Sequence, residues 1–343
     1  MIEGQDTQIL IGLTLPLMLN GANYSAERRV VDGIAVITLQ DAEHHAEVSI
    51  APPMGNNAYE FKVNGKNALY FPYAKLSDFQ EKPVLCAVPF LAPWANRLEK
   101  LGFAFQGKTY QVNPELKNLR FDPNGQPTHG LLAFSPLWEV MESSADANSA
   151  HVTSRLEFWR HPELMAQFPF AHSIEMTHRL SDATLQVETA IHNLSAGAMP
   201  ISLGYHPYFN VHDAPRDQWT VHIGARRHLV LSDKLLATGE SKPMDLPDAF
   251  TLAGRVIDDG FYDLSRGHDG LAHFSVQGEQ EKIEVTFGSK YPVNVTYAPA
   301  GKDFICFEPM AAMTNALNSG HALQTLAAGA EWRESFWVQA AGF

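Results

Sequence analysis

Apolar and polar side chains alternate along most of this chain. In ATLQVETAIHNLS, Leu185, Val187, Thr189 and Ile191 alternate with Gln186, Glu188, Ala190 and His192. KIEVTF sets Ile283, Val285 and Phe287 on one side, and PVNVTYAP does the same with Val293, Val295 and Tyr297. HVTSRLEFW, SIEMTHRL and QWTVHIGARRHLVLS repeat the pattern, with Gly, Pro, Asn and Asp in the gaps. A period of two places successive side chains on opposite faces of a strand. No segment carries an apolar stripe at helical spacing over three or more turns. The pattern therefore predicts an all-β protein of antiparallel sheets, packed sheet on sheet to cover their apolar faces.

No low-complexity linker, charge run or fixed-period repeat divides the chain. One β-sandwich domain over residues 27–343 is expected, preceded by an appendage, residues 1–26. The longest loop-like stretch is NPELKNLRFDPNGQPTHG, residues 113–130, and a loop of that length in a compact domain often carries function. The N-terminal run ILIGLTLPLML, residues 9–19, has the length of a signal-peptide core and is too short to span a bilayer. Its upstream MIEGQDTQ has two acids and no Lys or Arg, unlike a signal. A cytoplasmic location is expected, or a periplasmic or secreted one if residues 9–19 belong to a signal peptide.

Composition narrows the partners. Among 343 residues, 45% are hydrophobic and 18% charged, which suits a globular protein with a large core. The formal net charge of −13 repels phosphate backbones and anionic lipid, so neither nucleic acid nor membrane is expected as a partner. A neutral small molecule is indifferent to that field. Cys86 and Cys306 are the two cysteines, neither a disulfide framework nor a zinc pattern.

Five stretches put polar groups where the alternation leads one to expect apolar ones. In ISLGYHPYFNV, Pro207 removes a donor and holds His206 extended, which fixes an imidazole at a strand end among Tyr205, Tyr208 and Phe209. In PWANRLEKLGF, Asn96 and Arg97 follow Pro93 and Trp94, and a guanidinium there is either a surface turn residue or a fork for hydroxyls and carboxylates. His129 in QPTHGLLAF reads first as a hydrogen-bonded loop residue, since the chain has 15 histidines. Asp258 and Asp259 in IDDGFYDL read first as turn chemistry. In KDFICFEPM, Phe304, Cys306 and Glu308 share one face of a strand and Ile305 and Phe307 the other. A carboxylate in such company has to be paired or hydrogen-bonded.

Taken in order, NR…GFAFQGKTYQV, THGLL…W, MPISLGYHPYF, DDGF and FEPM resemble the aldose 1-epimerase (galactose mutarotase) family from about residue 40 to the C-terminus. GYHPYF after Asn193, Ser195, Met199 and Pro200 is the most specific part. The resemblance implies a large antiparallel β-sandwich, the supersandwich, with an open sugar cleft, and interconversion of the α and β anomers of a free aldohexose such as glucose or galactose. It implies His206 as general acid and Glu308 as general base. Arg97, His129, Asp258 and Asn96 would bind the substrate, with Asp258 preferred over Asp259 and Asp263 by its spacing to Phe261. No metal and no organic cofactor is implied, and a monomer or homodimer is expected.

These groups should converge on one cleft, with His206 and Glu308 roughly 5–8 Å apart to bracket a sugar. An ionised Glu308 should keep His206 protonated. Three alternatives remain: a hexose-6-phosphate 1-epimerase with a cationic phosphate pocket, a carbohydrate-binding protein that has lost catalysis, and a metal site of His129, His206 and Glu308.

Overall fold

A computed structural model describes residues 23–343, and the run 9–19 singled out above lies outside the described residues. The first strand, Tyr24–Val31, crosses the 26/27 boundary expected from the sequence and opens a five-stranded antiparallel meander that ends at Lys66–Asn67. Two larger sheets follow. The nine-stranded one centres on Glu331–Ala341, flanked by Lys282–Phe287 and Thr184–Asn193, the latter followed by His172–Ser181. The eight-stranded one runs from Ala237–Pro243 through Ala225–Leu231, Ile257–Leu264, Val293–Ala298 and Ile305–Met310 to Gly204–Tyr205 and Phe90–Leu91, with Tyr208–Phe209 also pairing Ile305–Met310. Every pairing between these strands is antiparallel, so the β-sandwich expected from the alternation is what forms.

Alternation decides what each face meets. On Ile305–Met310, Phe307 turns inward and its ring lies 6.0 Å from that of Phe274 on the nine-stranded sheet. Tyr205 likewise packs at 4.8 Å on Phe336 and bonds the Thr189 hydroxyl. The dry layer between the sheets is thus filled by Phe, Val, Ile and Leu, mostly with no exposed area. Fully burying one such side chain contributes about 1.5–3 kcal/mol. The opposite face of the same strand is left to Cys306 and Glu308. No helix among the described residues is long and apolar enough to cross a membrane.

Candidate active site

The strand Gly204–Tyr205 stops one residue before His206, and Tyr208–Phe209 resumes one residue after Pro207. The interruption is pinned on both sides: His206 N–H donates to Pro89 O at 3.1 Å and Tyr208 N–H to Ala87 O at 2.8 Å. Gly204 is required here, because a Cβ would lie 2.3 Å from Met310 Sδ and 2.9 Å from Pro309 O. The His206 ring stacks on Tyr208 at 4.6 Å and 5° and meets Tyr297 edge-on at 5.9 Å. Two aromatic walls leave the imidazole a single open direction.

Glu308 comes from the neighbouring strand. Its N–H is held by Asn294 Oδ1 at 3.1 Å, and Oε1 sits 3.3 Å from His206 Nε2. This is closer than the 5–8 Å expected from the sequence. A strand-end histidine and a mid-strand glutamate on adjacent strands leave little room to diverge, so the two groups touch before any substrate arrives. Glu308 is 1% exposed and its Oε2 has no partner. Burial, reinforced by Asp258 and opposed by Arg97, pushes its pKa well above the usual carboxylate range. Burial pushes His206 down, to about 3. Burial thus pushes each group toward its neutral form, against the imidazolium–carboxylate pair expected from proximity alone.

The loop 113–130 supplies the facing wall. His129 N–H donates to Asn96 O at 2.8 Å, Thr128 N–H to Arg120 O at 2.9 Å, and Asn315 N–H to Arg97 O at 3.0 Å. Gly130 has a positive φ of 60°, and a Cβ there would meet Ala92 O at 2.2 Å, so only glycine lets the loop lie against that segment. Arg97 Nε donates to Asp122 Oδ2 at 3.0 Å. The other oxygen of Asp122 accepts the Asn124 and Gln126 amides, both at 2.9 Å. Burial raises the Asp122 carboxyl, but the Gln126 amide and Arg97 outweigh it and hold it below the usual range. A permanent anion thus aims the guanidinium into the cleft. The His129 ring stands 5.6 Å from His206, and burial, with His206, Arg97 and Arg120 nearby, keeps it neutral.

The three acids of IDDGFYDL part company. They lie in a strand, Ile257–Leu264, rather than the turn their sequence suggests. Asp258 faces the cleft, where burial raises its pKa. Asp259 is engaged by His228 Nε2 at 3.2 Å, and Asp263 reaches Arg226 at 3.3 Å. Asn96, Arg97, His129, His206, Asp258 and Glu308 all line one open cleft of about 440 Å³, within the ~300–1,000 Å³ typical of small-molecule sites. A wider depression of about 630 Å³ lies elsewhere, but its Arg266 is consumed by the carbonyls of Gly270, Phe287, Ser289 and Tyr291.

The sequence pattern of the aldose 1-epimerase family matches residues 35–339. The chain belongs to that family. With it comes the isomerase class and a sugar substrate. The uncharacterized protein YihR of Escherichia coli K12 is 24% identical over 260 residues, covering 75% of this chain and 80% of that protein. A galactose mutarotase-like protein from Clostridium acetobutylicum superposes with a TM-score of 0.83 at 22% identity, covering 94% of this chain and all of the other. Galactose 1-epimerase from Lactobacillus acidophilus gives 0.72 at 15% identity, covering 94% and 99%.

Two groups in the cleft of this aldose 1-epimerase family member escaped sequence reasoning. Asp122 sits in FDPNGQ, where Asp-Pro-Asn-Gly spells a turn, and turn chemistry hides its second task. Arg120 also lines the cleft; its Cζ lies 4.9 Å over the Phe134 ring and its buried Nε has no partner. Nothing local marks Arg120 out.

Proposed function

We propose that this protein interconverts the α and β anomers of a free aldohexose by opening and reclosing the ring. The observation that carries this is the His206–Glu308 pair, 3.3 Å apart in the lining of an open polar cleft. Moving a proton from Glu308 to His206 gives the working form; Arg97 favours the Glu308 carboxylate but opposes a positive charge on His206. Glu308 then takes the proton of the anomeric hydroxyl while His206 protonates the ring oxygen. The C1–O5 bond breaks and C1 becomes an aldehyde carbon. After rotation about C1–C2, the freed hydroxyl attacks the other face and both protons return. Each positioned acid or base contributes about 10²–10⁴-fold. Arg97, His129, Asn96 and Asp258 are the groups that hold the hydroxyls. The presence of both acid and base argues against a purely sugar-binding protein.

A second reading, a hexose-6-phosphate substrate, is favoured by Arg120, a cleft guanidinium with no carboxylate beside it. Polarimetry on freshly dissolved α-D-glucose, α-D-galactose and glucose 6-phosphate tests both. Faster mutarotation of a free sugar is expected. Preference for the phosphate that disappears in Arg120→Met would establish the second reading, and no acceleration of any sugar would overturn both.

A further inference from the structure

Cys306 has no task in those proton transfers, yet it adjoins them. It shares a strand face with Glu308, two residues away, and pairs across with Tyr208, two residues after His206. One ligand atom from each of His206, Cys306 and Glu308 lies within 4.8 Å of the other two, and all three residues are buried. His206 Nδ1 and Glu308 Oε2 lack partners. The Nε2–Oε1 separation is 3.3 Å. Tetrahedral zinc, with bonds of about 2.0–2.3 Å, sets ligand atoms roughly 3.3–3.8 Å apart, so His206 and Glu308 already fit and the set, spread over up to 4.8 Å, closes by a small side-chain adjustment at Cys306. A thiolate and a carboxylate also cancel the two charges of a divalent ion, so a buried site of this make-up carries no net charge. His206 and Glu308 of this set also line the cleft.

We infer that His206, Cys306 and Glu308 form a site for a thiophilic divalent cation of the zinc class, and that an ion bound there switches the enzyme off. The ion takes the lone pairs that His206 and Glu308 need for proton transfer and stands where the anomeric oxygen would sit. Hard cations such as Mg²⁺ gain nothing from the sulfur and are excluded by chemistry. The binding half of the inference stands on geometry alone; the inhibitory half rests on the mutarotase reading.

The full chain, freed of metal, is titrated with Cd²⁺ while the ultraviolet thiolate-to-cadmium charge-transfer band is followed, and with Zn²⁺ while mutarotation is followed. One equivalent of Cd²⁺ should raise the band. Zn²⁺ should inhibit competitively with sugar and reversibly on chelation, and Mg²⁺ should do neither. Cys306→Ala should lose the band and weaken Zn²⁺ inhibition by about 100-fold or more, since even outer-shell partners are worth about 10–100-fold, with mutarotation in metal-free buffer retained. Cys306→Ser, which preserves the volume, repeats the test if the alanine variant melts early. Equal Zn²⁺ inhibition in parent and variant, or a band that survives the loss of Cys306, overturns the site. Should no sugar be turned over, the Cd²⁺ band still decides the binding half, so the two failures are separable.

Discussion

The two large sheets each bury histidines, and they use them differently. In the nine-stranded sheet, His172 and His178 are 2% and 1% exposed. His172 stacks on Phe158 at 4.2 Å and bonds Phe170 O at 2.7 Å through Nδ1, and burial pushes its pKa down to about 4. His178 has no partner on either nitrogen, and burial takes it to about 3. His206, at a strand end in the eight-stranded sheet, is depressed just as far. A shifted pKa therefore does not separate the proposed catalyst from a core residue. What separates them is company: His206 has a carboxylate 3.3 Å away and a cleft in front, whereas His178 has neither. Burial supplies an unusual proton affinity, and only a second titratable group can exchange the proton.

The sharpest way to break this contrast is Glu308→Gln. The amide keeps the size but accepts no proton, so kcat should fall by about 10²–10⁴-fold, or roughly 3–5 kcal/mol of transition-state stabilisation. Sugar binding should change far less. A buried acid whose folded pKa lies above its unfolded value loses stability as pH rises past the unfolded value. Removing that acid should therefore leave the melting temperature at pH 7 unchanged or raised. A glutamine variant with full kcat and a lowered melting temperature would make Glu308 a structural residue and erase the difference between the sheets.

Asp122→Asn comes next. It keeps the turn but withdraws the charge that aims Arg97, and charge-assisted hydrogen bonds contribute about 1.5–3 kcal/mol. We expect KM to rise about tenfold or more with kcat within a few-fold. A fall confined to kcat would instead place Arg97 on the reacting atoms.

The pH profile of kcat/KM sharpens the comparison without mutation. Because burial lowers His206 to about 3 and raises Glu308 well above the usual carboxylate range, neither group should titrate at its ordinary value. The profile should stay flat through pH 6.5, with its acid limb well below it. An inflection near 6.5 would mean that His206 is as solvated as a surface histidine.

The smallest effect on activity belongs to His178→Leu. His178 binds its proton only near pH 3 when folded and near 6.5 when unfolded, so its unfavourable contribution grows as pH falls from about 6.5. Thermal melts at pH 5 should show the variant gaining on the parent, by up to about 2 kcal/mol for 1.5 pH units at 1.36 kcal/mol each, with mutarotation unchanged. A leucine variant with the parent's acid sensitivity would show that His178 is more solvated than its burial implies.

The alternation of Leu185, Val187 and Ile191, or of Ile305 and Phe307 against Cys306 and Glu308, determined the strands and which of their faces are apolar. Local backbone chemistry determined that His206 stands at a strand end, because proline behind it can neither donate nor continue the ladder. These are short-range effects, written within a few residues. The family spacing to Phe261 singled out Asp258, but only the tertiary structure supplied the physical reason, since Asp259 and Asp263 are claimed by His228 and Arg226. It also decided the contact between His206 and Glu308, the aiming of Arg97 by Asp122 across 25 residues, and the nearness of Cys306 to both proton carriers. Strand propensity is a property of neighbours in sequence; proton affinity and ligand geometry belong to neighbours in space, and packing two sheets together is what makes them neighbours.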